Sequence, residues 1–308
     1  MKRFIPNIFK WGLLLIVFLL VSPVNAFDFG KFSFSIQPKI PTDEGSLSDY
    51  GIGFRYTDKI SSEIRLKMTE RRTTEKFSGI DSSLNVVVNS ETKWSLLPLQ
   101  YSFFRTEKNT FSAGLGIYHY RQKLEENGYF NLIFLETPVN AYINNFTMNI
   151  TGPIIEAQFS SAFSDFFTIT AAAEIVPFAF INTKQTVDII PLYFTGAFTH
   201  DQSQSGALVF QGKLATGIFD LVDISGIYNG FFHTFDSIDF DDDLHTIVTS
   251  KKSLSQSFQI EGSVNIKINP VDVNIGIGGI FNSVYLDSVR ATEGRRLYFV
   301  FGGKKTFW

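Results

Sequence analysis

The chain has 308 residues, of which 44% are hydrophobic, 16% aromatic and 19% charged, with 34 Phe and no Cys. That composition is too aromatic and too weakly charged for a disordered chain, and the absence of Cys excludes a disulfide framework, a thiolate zinc site and a thiol nucleophile. A formal charge of −3 gives no electrostatic footprint for nucleic acid, and a mean hydropathy of +0.07 is far below that of a helical membrane bundle.

Residues 1–26 read as a secretory signal peptide. Lys2, Arg3 and Lys10 form a basic start, Trp11 to Val21 an apolar run, and Ser22-Pro23-Val24-Asn25-Ala26 a small-residue cleavage site. The run has eleven residues, too few to span a bilayer, so an uncleaved anchor is the weaker alternative. Cleavage removes three of the 27 basic residues and none of the 30 acidic ones, leaving a net charge of −6. Residues 27–308 then form one domain.

Along that domain the dominant hydrophobic period is two, the signature of half-buried strands. A first strand is expected from Phe32 to Ile40. Ile52, Phe54 and Tyr56 alternate with Gly51, Gly53 and Arg55, then Ile64, Leu66 and Met68 with Glu63, Arg65 and Lys67. Ser257 to Ile268 alternates without error, and Val271, Val273, Ile275 and Ile277 continue beyond Asn269-Pro270. A last strand is expected from Arg296 to Lys305.

The connections alternate between short and long. Short ones fall around Asp58-Lys59, Arg105 to Asn109, Ser164-Asp165, Asp220 to Val222 and Asn269-Pro270. Longer polar or mixed segments, expected as loops, cover 41–49, 72–92, 122–152, about 180–206, 233–253 and 287–295. The first strand, five short-turn hairpins and the last strand make an all-β, up-and-down antiparallel barrel of about 12 strands. Every short turn then shares one side with both termini. A soluble β-sandwich has no reason to sort its turns by length. Segments 139–150 and 190–198 alternate well enough to raise the count to 14, but that would move the Ser164-Asp165 turn to the other side. Aromatics cluster as interfacial girdles require: Tyr56, Phe103, Phe104, Phe111, Phe163, Phe166, Phe167 and Phe219 beside short turns. Tyr118, Tyr120, Phe178, Phe180, Phe231, Phe232 and Tyr285 stand towards the opposite ends.

Together, the leader, the alternating strands, the sorted connections and the aromatic C-terminus resemble the bacterial outer-membrane β-barrel proteins. The resemblance implies export to the outer membrane of a diderm bacterium, with lipid around the barrel. It also implies a terminal strand read by the barrel assembly machinery, carried here by Phe299, Phe301, Phe307 and Trp308.

If the apolar face meets lipid, the polar face lines the lumen. Matching faces across a three-residue loop at Asp58 to Ile60 sets Phe54 opposite Ile64, Arg55 opposite Glu63, Gly53 opposite Arg65 and Gly51 opposite Lys67. A two-residue loop at Asn269-Pro270 pairs Lys267 with Asp272, and in the hairpin at 210–232 Gly212 faces Tyr228 and Gly230 faces Phe210. Matching Phe163 with Phe167 sets Glu156 opposite Glu174. Such a pair requires a cation, a shared proton or a basic side chain, for which Lys213 is the first candidate. The inner face thus carries Lys39, Arg55, Arg65, Lys67, Lys213, Lys267, Arg296 and Lys304 against Glu63, Glu156, Glu174, Glu261 and Asp272. Opposed charges in a narrow lumen favour small solutes.

Signals for other chemistry are weak. Asp239 to His245 groups four carboxylates with an imidazole, and Asp241, Asp243 and His245 could hold a divalent cation, but the spacing is not that of a dedicated Ca²⁺ loop. Thr199-His200-Asp201-Gln202-Ser203 is the one cluster that suggests an outer-membrane hydrolase. No phosphate loop or dinucleotide fingerprint is present, and no cofactor is expected. The sequence is therefore read as a narrow porin for passive uptake of small solutes. The alternative is an adhesin or structural barrel whose long outer loops meet surface ligands.

Overall fold

A computed structural model describes residues 31–77, 83–106, 108–130, 139–164, 166–189, 196–219, 221–240, 246–268, 271–286 and 289–307. The expected signal peptide at 1–26, the candidate cation ligands Asp241, Asp243 and His245, and Trp308 lie outside these residues. So does the side chain of Phe307.

Twelve strands run in chain order: β1 (Lys31–Pro41), β2 (Gly45–Arg55), β3 (Ile60–Phe77), β4 (Ser83–Arg105), β5 (Asn109–Phe130), β6 (Val139–Ser164), β7 (Phe167–Ile189), β8 (Gly196–Ile218), β9 (Val222–Phe240), β10 (Thr246–Ile268), β11 (Val271–Leu286) and β12 (Val289–Phe307). Each pairs antiparallel with its sequence neighbours, and β1 pairs with β12 to close the barrel. All five short connections fall where the sequence places them. The segments expected as long outer loops do not: 72–77, 83–92, 122–130, 139–152, 180–189, 196–206, 233–240 and 246–253 continue the strands. The 14-strand alternative fails for the same reason, since 139–150 is the outer half of β6 rather than a strand of its own.

Crossing a bilayer takes about 9–11 strand residues, yet ten strands here run from 16 to 26 residues. The outward face marks where lipid ends. On β3 the exposed Ile64 and Met68 give way to Glu70, Arg72 and Thr74. On β5 Leu115 and Ile117 give way to Arg121 and Lys123, and on β7 Ile175, Phe178 and Phe180 to Asn182 and Lys184. On these three strands the half next to the short turns is therefore apolar outside, and the far half is polar outside. A barrel with an apolar exterior and a charged interior inverts a soluble barrel and has lipid as its solvent. The far halves project beyond the membrane as a wall that water can wet.

Three prolines sit inside the long strands β4, β6 and β7, where each removes a ladder donor. All three coincide with breaks in register: Pro98 between Leu96 and Leu99, Pro153 between Thr151 and Ile155, and Pro177 between Val176 and Ala179. The bulges press neighbouring backbones together, and a Cβ on Gly116 would lie 2.0 Å from the Leu96 carbonyl oxygen. They also turn side chains inward. Leu97, Tyr118, Ile150, Ile154, Val176 and Ile181 form a buried apolar cluster inside the wall of β4 to β7.

Candidate functional site

Alternation along the strands delivers polar side chains to the interior, where a cavity of about 1410 Å³ opens in the lumen. Lys31, Lys267, Asp272 and Lys304 line it near the short turns, and Arg71, Glu91 and Gly294 line it in the projecting half. Among the described residues nine basic and seven acidic side chains face this cavity. Arg55, Glu63, Arg65, Lys67, Glu156, Glu174, Lys213, Lys267 and Asp272 are all on its wall. Glu261, Lys39 and Arg296 also turn inward but are buried behind the surface.

The two carboxylates expected to face each other do so: Glu156 pairs in register with Glu174. The neutralising base is Arg65, not Lys213. Its Nη1 donates to Glu156 at 2.7 Å and to Glu174 at 2.5 Å, and its Nη2 to Glu63 at 2.7 Å and to Glu156 at 3.0 Å. Arg65 reaches β6 and β7 from β3, three and four strands round a ring of twelve, so its side chain crosses the lumen as a strut. A planar guanidinium presents several donors at fixed angles, which lets one residue serve three carboxylates.

The hairpin between β2 and β3 is shifted two residues from the expected register. Gly51 faces Arg65, Gly53 faces Glu63, Ile52 faces Ile64 and Asp49 faces Lys67. The cause is a longer turn. Thr57 Oγ1 accepts from the backbone N–H of Lys59 and Ile60, and Tyr56 N–H bonds back to the Ile60 carbonyl, fixing four residues outside the ladder. A shift of two keeps every side chain on its face. Arg55 therefore still faces the cavity, but opposite Ser61 rather than Glu63. The expected pairings of Lys267 with Asp272 and Gly230 with Phe210 hold, while beside the β6–β7 turn a register break sets Ser164, not Phe163, opposite Phe167.

A second set of contacts spans the barrel beside the first. Buried Lys39 pairs with Asp49 at 2.7 Å and Glu261 at 2.9 Å, and Glu261 accepts from Tyr298 Oη at 3.1 Å and from Gln37 at 2.9 Å. Lys67 reaches β10 to donate to Gln259 at 3.1 Å, and Lys93 reaches β8 to donate to Gln211 at 2.5 Å. Lys93 also stands 3.7 Å from Glu174. Nearer the far end, Arg296 bonds Asp43 at 2.7 Å and the Glu70 carbonyl at 2.9 Å. Sequence reading missed Lys93 because 72–92 read as a loop ending just before it.

Three expected girdle aromatics are inside instead. Tyr118, Tyr120 and Phe231 line the cavity, with Tyr120 and Phe231 reaching towards each other from β5 and β9 at 6.1 Å between ring centres. Phe178, Phe180 and Phe232 do stay on the exposed exterior, as do Phe299 and Phe301. Phe103, Phe104, Phe163, Phe166 and Phe219 form a turn-side belt, where Phe166 and Phe219 stack at 5.4 Å across neighbouring turns. His200 lies within β8 rather than in a loop.

No protein-family model matches the sequence, and no curated protein matches it. Solved structures do resemble it in architecture. The translocator domain of autotransporter NalP from Neisseria meningitidis is 12% identical over 97% of this chain and 94% of that one, with a TM-score of 0.39. The Pseudomonas putida toluene transporter TodX is 9% identical over 93% and 92%, at 0.41. The Escherichia coli outer membrane protease OmpT is 8% identical over 91% and 94%, at 0.38.

Proposed function

We propose that this protein is an outer-membrane channel, exported by cleavage of residues 1–26, that lets small polar solutes pass through its lumen. One observation carries the reading: a cavity of about 1410 Å³ opens inside the barrel, with Lys267 and Lys304 on its wall near the short turns and Arg71 and Glu91 on its wall in the projecting half. A merely structural barrel has no need of such an interior space, and eight-stranded barrels of that kind are filled by side chains. Struts from Arg65, Lys67 and Lys93 narrow the path without filling it, which limits passage to small solutes.

Planar-bilayer recording of the refolded protein tests this. Stable single-channel steps of small conductance are expected. A folded barrel that inserts but never conducts would refute the channel. It would favour an adhesin, for which the water-wetted projection of β3 to β8 offers the contact surface.

A further inference from the structure

We propose that the lumen holds a binding site for a small amphipathic monoanion, a carboxylate on an aromatic or short alkyl body. It lies between the ammonium groups of Lys67 and Lys93 and the rings of Tyr118, Tyr120 and Phe231. The site deepens the channel reading by naming a solute class, and rests on that reading only for its physiological use.

The first observation is a pair of like charges. Lys67 and Lys93 are direct cross-strand partners on β3 and β4, both pointing into the cavity. Like charges directly opposite one another destabilise a sheet unless something intervenes. Arg65 is held by three carboxylates and Lys39 by two. The hydrogen bonds of Lys67 and Lys93 go instead to the neutral side-chain carbonyls of Gln259 and Gln211, with Glu174 at the longer distance of 3.7 Å from Lys93. A carboxylate between the two ammonium groups would replace those acceptors with charge-assisted bonds, and a rotated carboxamide could then donate its NH₂ to the same anion.

The second observation is independent of charge. Tyr118, Tyr120, Met148, Val209 and Phe231 present an apolar patch to the cavity, packed together on one side of it. It adjoins the lysines: Lys93 faces Tyr120 in register, and its Nζ lies 5.4 Å from the centre of the Tyr118 ring. An apolar wall with a few convergent polar groups is the usual form of a small-molecule site. Nearby carboxylates set the charge. Glu174 stands 3.7 Å from Lys93, and Asp49 faces Lys67 in register. These two carboxylates already offset the two lysine charges, which disfavours a dianion.

The test is equilibrium dialysis of labelled benzoate against the full chain refolded in detergent, with heat-modifiable gel mobility as the folding control. Saturable binding of one benzoate per chain is expected, displaced by unlabelled benzoate but not by equal concentrations of benzyl alcohol or inorganic phosphate. The Lys67→Gln/Lys93→Gln protein should bind at least about tenfold more weakly, the loss expected for hydrogen bonds to charged groups. Tyr118→Leu should also weaken benzoate, while Lys184→Gln on the wetted exterior should not. Absent binding in a folded barrel, or binding that survives loss of both lysines, would overturn the site. Equal displacement by phosphate would overturn its amphipathic character. Parallel bilayer recording separates the two readings. A silent barrel that binds benzoate keeps the site and loses the channel, whereas a conducting barrel that binds none loses only the site.

Discussion

Replacing Arg65 with Met should destabilise the barrel strongly. The change removes four hydrogen bonds at 2.5–3.0 Å. It leaves Glu156 and Glu174 facing each other with side-chain exposures of only 3% and 10%. Breaking a buried ion pair by deleting one partner costs about 3–5 kcal/mol. Arg65 and Glu63 are each about one-third exposed, at 31% and 32%, which places the expected loss near the lower end, about 3 kcal/mol. With a urea slope of about 3 kcal/mol per M, the unfolding midpoint should fall by about 1 M. The assay is urea unfolding of the refolded protein in micelles, followed by Trp fluorescence and by gel mobility. Adding Glu156→Gln to Arg65→Met should recover part of the loss, because the facing pair then carries one charge fewer. An unchanged midpoint for Arg65→Met, or additive losses in the double mutant, would refute the strut.

Other outcomes follow from the same geometry. If the channel conducts, Lys67→Gln/Lys93→Gln should shift the reversal potential across a salt gradient towards cation selectivity. That pair removes two of nine cavity-facing bases, and charges in a confined lumen act on every passing ion. Epitope tags within 80–85 or 241–243 should be reached by antibody on intact cells, and tags at Asp58-Lys59 or Ser164-Asp165 should not. Labelling at the short turns would reverse the orientation. Gly45→Ala should cost about 1–3 kcal/mol in the same urea assay, because Gly45 has φ +144° and an added Cβ would lie 2.1 Å from the Glu70 carbonyl oxygen.

The strand count, the five short turns and the Glu156–Glu174 pair were legible because period-two alternation and tight turns are local signals. The outer halves of the strands were not. Segments such as Arg121 to Gly128 and Asn182 to Asp188 read as polar loops because alternation is visible only where one face is apolar. Above the membrane the outer face turns polar while the inner face is already polar, so the pattern fades although the ladder continues. Arg65 as the neutralising base was not legible either, since a contact across the lumen joins strands with no register between them. The inward turn of Tyr118 and Tyr120 was available in principle. Leu115 and Ile117 are exposed on the outer face, so strict alternation along β5 sends positions 118 and 120 inside.

The proline bulges tie these features together. A barrel of twelve strands is wide enough that side chains from one wall seldom meet those from the other. Here they do meet, Arg65 reaching Glu156 and Glu174 and Lys93 reaching Gln211. Pro98, Pro153 and Pro177 break the ladder on β4, β6 and β7, and beside the breaks Leu97, Tyr118, Ile154 and Val176 are buried. The strands whose ladders the prolines interrupt are thus the ones that carry Lys93, Glu156 and Glu174 into the cross-lumen contacts.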